Sequence, residues 1–484
     1  MEGIILLGLG PGDPGLITRQ AWDILEKAGE VHLRTKQHPA VEGLPTRLIV
    51  HSFDDIYEAE EDFNSVYARI IDEVIQLGRR PEGVLYAVPG HPLIGETTGP
   101  EILRRAQAEG IPVQVVEGIS FITPSLAAVG ADPLPQTAIV DALELVSAHY
   151  PPFPPSSPAL IAQVFSPRVA GELKITLTAL YPDEHRVKMV HAAGTGAALV
   201  EEMYLHEIDQ SAHIGLLTSL YLPPLGEYTS FEEFQELIAH LRAPEGCPWD
   251  QEQTHQSLRR NLLEEAYEAL AAIDADDPAS MLEEFGDLLL QIVLQAQIAS
   301  EYGEFHMSDV IHAIHTKLVR RHPHVFGDVD LENSGEVIAN WERLKENERR
   351  EKGEKKENGL LDGIPLDMPA LVVAEAYQRR AARIGFDWPE IEGVLDKILE
   401  EITEYRSAES MEDKREEFGD LLFALVNLAR WVDLDPETAL RETNAKFKTR
   451  FAEIEAAALK MGKQISDMSL AEMDEIWEKA KKKS

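Results

Sequence analysis

One acidic pattern occurs twice in this chain, and it limits what the second half can become. Glu264, Glu265 and Glu268 are followed by Glu284 and Asp287; Glu400, Glu401 and Glu404 are followed by Glu417 and Asp420. Residues three or four apart share a helix face, so Glu265 and Glu268 point together, as do Glu284 and Asp287. The runs after each second acidic pair, LLLQIVLQAQIA and LLFALVNLA, are apolar on nearly all sides, which predicts buried helices. Carboxylates at the start of such a helix, beside a second acidic helix, are desolvated and repel one another unless a cation lies between them. Oxygen ligands converging from two helices suit Mg²⁺, with Mn²⁺ as a substitute, an ion that keeps waters and takes substrate phosphates. A solvated acidic surface is the plain alternative in a chain with 85 Asp+Glu against 45 Lys+Arg and a formal net charge of -40. Random acidity does not repeat as EExxE and ExFGDLL at almost one offset, however: 401 − 265 is 136 and 420 − 287 is 133.

At 484 residues the chain exceeds one ordinary core. Its acidity excludes a long-range field attracting nucleic acid or an anionic membrane. The single cysteine, Cys247, excludes an internal disulfide and fits a reducing cytoplasm. Neither a signal peptide nor a membrane span is expected. Residues 1–222 alternate strand-like runs (IILLGLG, GVLYAV, PVQVV, ALIAQV, RVKMVHAA, HIGLLTSLY) with helical ones, which predicts an α/β domain with a largely parallel sheet. PPFPPSSP at 151–158 is expected to join two lobes, and 223–230 to be a linker. Long amphipathic helical patterns follow: a first all-α unit at 231–344, a charged connector at 345–360 and a second unit at 361–484, an internal duplication.

A basic segment follows each acidic set. The first contains Lys317, Arg320, Arg321, His322 and His324, the second Asn444, Lys446, Lys448 and Arg450. Metal-bound carboxylates with nearby cations are the parts needed for a polyphosphate, since the basic groups offset charge building on a leaving pyrophosphate. The two histidines lack a third partner at zinc spacing, and no GxxxxGK[ST] phosphate loop occurs.

CPWDQEQTHQSL, NLLEEAYEAL, EEFGDLLLQIV, RRHPHVFGD, GFDWPEIEGVLDKILEEI, EEFGDLLFALVNLAR and NAKFKTRF resemble the MazG family of all-α nucleoside triphosphate pyrophosphohydrolases. That resemblance implies Mg²⁺-dependent cleavage of a nucleoside triphosphate to a monophosphate and pyrophosphate, in a homo-oligomer of dimers or larger. It implies metal ligands Glu401, Glu404, Glu417 and Asp420, phosphate contacts from Lys446 and Arg450, and Trp477 against the nucleotide. Glu400 is the candidate for orienting or deprotonating the attacking water. The first unit's counterparts are Glu265, Glu268, Glu284, Asp287, Lys317 and Arg321, with Glu264 as the matching base. The second unit is expected to supply most of the turnover.

GLGPGDPGLIT at 8–18 follows a strand and precedes a helix. Gly8, Gly10 and Gly12 permit positive φ and close ligand approach, but Pro11 and Asp13 break the GxGxxG pattern of nicotinamide cofactors. YAVPGHPLIGE at 86–96 and VEGISFITPSLAAVG at 116–130 also follow strands, at the sheet end where open α/β folds bind ligands. Together these loops resemble the tetrapyrrole methylases, S-adenosylmethionine-dependent C-methyltransferases. The resemblance implies two α/β lobes with the cofactor in the cleft, against Leu9, Pro89, Gly90, Gly118 and Ile119, the loops adding Pro11, His91 and Ser120. The family's GDP is GHP here, with His91 in the Asp position. Such a half joined to a MazG half resembles the YabN-type bifunctional family. A methyltransferase whose helical half assembles an oligomer or senses nucleotide, and a non-enzymatic Mg²⁺-nucleotide binder, are the competing readings.

Overall fold

A computed structural model describes residues 2–60, 62–331, 333, 335–337, 340–341, 343–344, 348, 359–365 and 368–482. The chain forms two compact units, Met1–Glu252 and Gln253–Ser484.

The first unit holds two sheets. In the first, β1 (Ile4–Gly8) lies between β4 (Val84–Val88) and β5 (Val113–Val116), with β2 (Glu30–Leu33) and β3 (Ile49–Ser52) beyond β4, giving the order β3-β2-β4-β1-β5. Every pairing is parallel. β1 and β4 are buried along their whole length, as expected of continuous apolar runs covered on both faces. Helices α1 (Arg19–Leu25), α2 (Phe63–Gly78) and α3 (Thr98–Ala108) supply that cover, and a core cluster lies on each face of the sheet. α4 (Ile122–Val129) follows β5.

The second sheet runs β6-β7-β10-β8-β9, built from β6 (Ala138–Asp141), β7 (Ala159–Ala162), β8 (Arg186–His191), β9 (Leu199–Tyr204) and β10 (Thr218–Leu222). Only β6 and β7 pair in parallel, so the expected parallel sheet is the first and not the second. Residues 151–158 do not join the lobes as expected. They connect β6 to β7 within the second sheet, where their prolines serve a turn between neighbouring strands. α5 (Pro167–Thr178) covers this sheet, and α6 (Phe231–Arg242) lies at the end of the first unit with a Ser230–Glu233 capping box.

The secondary-structure elements described in the second unit are all helices. α7 (Arg259–Asp274) packs on α8 (Pro278–Glu301), which is followed by α9 (Met307–Arg321). After the connector, which falls mostly outside the described residues, come α10 (Ala370–Arg383), α11 (Ile391–Ser407), α12 (Met411–Trp431), α13 (Pro436–Lys460) and α14 (Leu470–Lys481). No helix among the described residues is long and apolar enough to cross a membrane.

Candidate active site

The two acidic patterns become two carboxylate clusters. α7 and α8 bring Glu265, Glu268 and Glu284 together, and α11 and α12 bring Glu401, Glu404 and Glu417 together; in each set the ligand oxygens lie within 4.8 Å of one another. Asp287 and Asp420 lie outside these tight groups, yet each raises the pKa of a cluster carboxylate through its charge. Burial, then Asp287, Glu268 and Glu284, push Glu265 above the usual carboxylate range. Burial, then Glu268, raise Glu284. Burial, then Glu404 and Glu401, raise Glu417. Carboxylates that resist ionisation because of one another form a site for a cation.

The two clusters differ. Glu401 is 3% exposed, and its Oε2 is buried without a hydrogen-bond partner. Its Oε1 accepts from Lys397 Nζ at 2.6 Å, and Lys397 also donates to Glu400 at 3.0 Å. Those two carboxylates raise the Lys397 pKa. The first unit has Asn261 at the matching position, four residues before Glu265. The sequence reading missed Lys397, although a basic residue one turn before a metal-ligand candidate was visible. Beside the second cluster is a cavity of about 470 Å³, whose walls include Lys397, Glu401, Asp420, Trp388, Phe386 and Tyr377. That volume lies in the range of small-molecule sites.

The expected burial of the acid-bearing helices is incomplete. Leu282 is 78% exposed, Phe418 is 52% exposed, and Phe285, Ile292, Leu422 and Leu425 are also exposed. Among the described residues, α8 and α12 are covered on one side, and these apolar side chains are left exposed on the other. Glu264, Glu268, Glu400, Glu404 and Asp420 are exposed as well.

Of the basic residues, Arg450 lies 5.8 Å from the Trp477 ring centroid and Phe447 packs on the same ring at 5.1 Å. Lys446 is exposed and 3.6 Å from Glu442. These residues group with one another on α13 and α14, and none lines the cavity at the second cluster. Lys317 is exposed on α9. Arg321, the first unit's expected phosphate contact, is engaged within the chain. It is 11% exposed, donates to both oxygens of Glu348 at 3.1 and 2.6 Å, and lies over Trp341; a bidentate carboxylate satisfies the fork that would take a phosphate.

In the first unit the three predicted loops meet, because they leave the carboxyl ends of adjacent strands β4, β1 and β5. Gly10 and Gly90 exchange backbone hydrogen bonds at 3.1 and 2.8 Å, and Leu9 N–H donates to Val88 at 2.9 Å. Gly10, Gly12 and Gly90 have positive φ, but Gly8 does not. Gly8 instead allows the loops to touch: a Cβ there would lie 2.5 Å from the Gly90 oxygen, and one on Gly118 only 2.1 Å from it. Beside Gly90 the Cβ direction is open. Pro89 and Ile119 lie in these loops, and Ser120 Oγ accepts from Ile122 N–H at 3.2 Å. His91 Nδ1 accepts from Leu93 N–H at 3.1 Å. An Asp would make the same local bond, so the His for Asp exchange keeps the turn. Two groups escaped the sequence reading. Arg34 and the buried Glu96, the last residue of the second loop, form an ion pair 62 residues apart in sequence, and Glu96 also accepts from Thr98 N–H at 3.0 Å. His38, buried against the Pro11 backbone, has its pKa lowered to about 4, chiefly by burial and then by Arg34.

An α/β unit with three loops converging over a parallel sheet, followed by a helical unit with duplicated carboxylate clusters, defines a two-part protein with a ligand-cleft half and an acid-cluster half. The tetrapyrrole (corrin/porphyrin) methylase family matches residues 3–209 and the MazG nucleotide pyrophosphohydrolase domain matches residues 253–326. The chain is 41% identical to the uncharacterized protein YabN of Bacillus subtilis across 99% of this chain and 98% of that one. It is 46% identical to the nucleoside triphosphate pyrophosphohydrolase/pyrophosphatase MazG of Thermotoga maritima, and 44% identical to the nucleoside triphosphate pyrophosphohydrolase of Escherichia coli K12. These alignments cover 52% and 51% of this chain and 95% of each relative. The chain therefore belongs to the family that joins a tetrapyrrole methylase domain to a MazG domain.

Proposed function

We propose that the helical half hydrolyses nucleoside triphosphates to monophosphate and pyrophosphate, as the names of the Thermotoga and Escherichia relatives state for those proteins. The observation that carries this reading is the pair of carboxylate clusters, each with ligand oxygens within 4.8 Å. The orphaned Glu401 Oε2 and the raised pKa values of Glu265, Glu284 and Glu417 fit a divalent ion held by oxygen ligands. Glu265, Glu268, Glu284 and Asp287 would hold one, and Glu401, Glu404, Glu417 and Asp420 the other, Mg²⁺ being the ion of choice. Such an ion supplies positive charge against phosphate oxygens.

Glu400 and Glu264, exposed beside the clusters, orient the attacking water and take its proton. Lys397 releases Glu400 and Glu401 as the substrate enters and binds phosphate in their place. Lys446 and Arg450 carry the departing pyrophosphate, and Trp477 lies against the nucleotide. These last three come to the cluster from a second copy of the chain, whose exposed apolar helix faces invite pairing. The second unit, with its buried ligand and adjoining cavity, does most of the work. In the other half, the converged loops hold S-adenosylmethionine at the open side of Gly90. We take the functional pieces as 1–222, 231–344 and 361–484, while the two compact units divide between Glu252 and Gln253.

The test is pyrophosphate release from a panel of nucleoside triphosphates with Mg²⁺, using the full chain and separate Glu404→Gln and Glu268→Gln variants. Glu404→Gln is expected to abolish most turnover and Glu268→Gln to spare it. Absence of pyrophosphate release from every triphosphate would sink the hydrolase reading; full activity in Glu404→Gln would reverse the ranking of units.

A further inference from the structure

Among the described residues, one other set of side chains with metal-ligand chemistry lies far from both acidic clusters in sequence, at the free edge of the first sheet. Glu30 and His32 are two residues apart on β2 and so project from one face of it. His51, on edge strand β3, pairs in register with His32. Ligand atoms of all three lie within 4.8 Å of one another. His51 Nε2 is 3.3 Å from Glu30 Oε2, and His32 Nε2 is 3.9 Å from Glu30 Oε1. The two imidazole rings stack with centroids 4.6 Å apart.

Two observations distinguish this group from ordinary surface polarity. The His32 side chain is 11% exposed, and its Nε2 is buried with no hydrogen-bond partner, a state that buried nitrogens rarely keep. Glu30, meanwhile, is held from behind: Arg80 donates to its Oε1 at 2.9 Å, while Oε2 faces His51. A hydrogen-bond donor that fixes a ligating carboxylate is the usual support around a metal centre.

We propose that Glu30, His32 and His51 form a transition-metal site of zinc type that ties the edge strand to its neighbour. Two imidazoles and a carboxylate suit Zn²⁺, with a fourth position left open, whereas Mg²⁺ prefers all-oxygen ligands. Tetrahedral zinc with bonds of about 2.1 Å needs ligand atoms about 3.4 Å apart. The His51–Glu30 pair already has that spacing, and a small χ rotation of His32 closes the other gap. The Arg80 charge opposes a dication, so the site is weaker than a closed structural one.

The experiment titrates metal-free full-length protein with Co²⁺ and then Zn²⁺ in excess Mg²⁺, which occupies the carboxylate clusters. The wild type is expected to show the visible absorption of tetrahedral cobalt–imidazole coordination, reversed by Zn²⁺, and a thermal midpoint raised by Zn²⁺. His51→Ala and Glu30→Gln should each weaken Co²⁺ binding by about tenfold or more and lose the thermal shift. His51 is 46% exposed, so its removal spares the core; circular dichroism checks this, and the near-isosteric Glu30→Gln decides the matter if His51→Ala misfolds. Equal metal affinity and equal thermal shift in the wild type and the folded variants overturn the proposal.

Discussion

Lys397 Nζ sits 2.6 Å from Glu401 Oε1, so the buried carboxylate of the second cluster already carries a cation, where the first unit places Asn261. A dication arriving there must share Glu401 with that ammonium. At an effective dielectric near 20, unit charges about 4 Å apart interact by about 4 kcal/mol. Losing even a third of that changes affinity about tenfold. Lys397→Met, in a Glu268→Gln background that weakens the first cluster, is therefore expected to bind Mg²⁺ about tenfold tighter in calorimetry without nucleotide. Pyrophosphate release should fall in the same variant. Unchanged Mg²⁺ affinity would show that the lysine does not compete.

The exposed apolar faces of α8 and α12 predict self-association. Light scattering on the wild type should give a dimer or larger, and Leu282→Glu or Phe418→Glu should shift it toward the monomer. Both side chains are half exposed or more in a single chain, so the substitutions cost little in core packing. A monomeric wild type would contradict this.

Gly118 is expected to tolerate no side chain. A Cβ there meets the Gly90 oxygen at 2.1 Å and the Gly8 backbone at 2.8 Å, and backbone cannot yield as a flexible side chain does. Gly118→Ala should cost about 1–3 kcal/mol or more and abolish S-adenosylmethionine binding. Gly171→Ala is the control. It lies within α5, where the nearest atom to a new Cβ is 3.8 Å away, and should be neutral or stabilising by up to about 1 kcal/mol. Equal thermal midpoints for the two variants would refute the loop-contact account.

His38 sets a pH dependence. Its folded pKa is lowered to about 4 from an ordinary 6.5, so the unfolded chain binds the extra proton between those values. Stability from this group is complete above pH 6.5 and is lost as pH falls toward 4, with a slope of at most about 1.4 kcal/mol per pH unit. His38→Gln should flatten the thermal midpoint across that window. An unaltered slope would mean that the imidazole stays accessible to protons.

Much of the site was legible along the chain because it is local. Helical spacing alone puts Glu401 beside Glu404 and Glu417 beside Asp420, and a run such as LLFALVNLA marks the helix that follows. β1 and β4 were legible for the same reason, as unbroken apolar strands. β2 and β3 were not: EVHL and IVHS are short, polar and at a sheet edge, so no periodicity separates them from loop. The burial expected of the acid-bearing helices depended on a second layer that the described residues do not supply.

The sequence by itself determined the acidic pairs on each helix, the three glycine-bearing loops and the division into an α/β and a helical half, since each is written in a local pattern or a local shift of composition; the meeting of two acidic helices in each cluster is a matter of packing. Only the tertiary structure decided that Lys397 occupies the second cluster, that Arg321 is engaged by Glu348, that Arg34 meets Glu96, and that His32 faces His51. Most of these pairings join distant stretches of chain, and they arise from packing and desolvation, which no local pattern encodes; even Lys397, one turn from Glu401, was committed to that carboxylate by the burial around it.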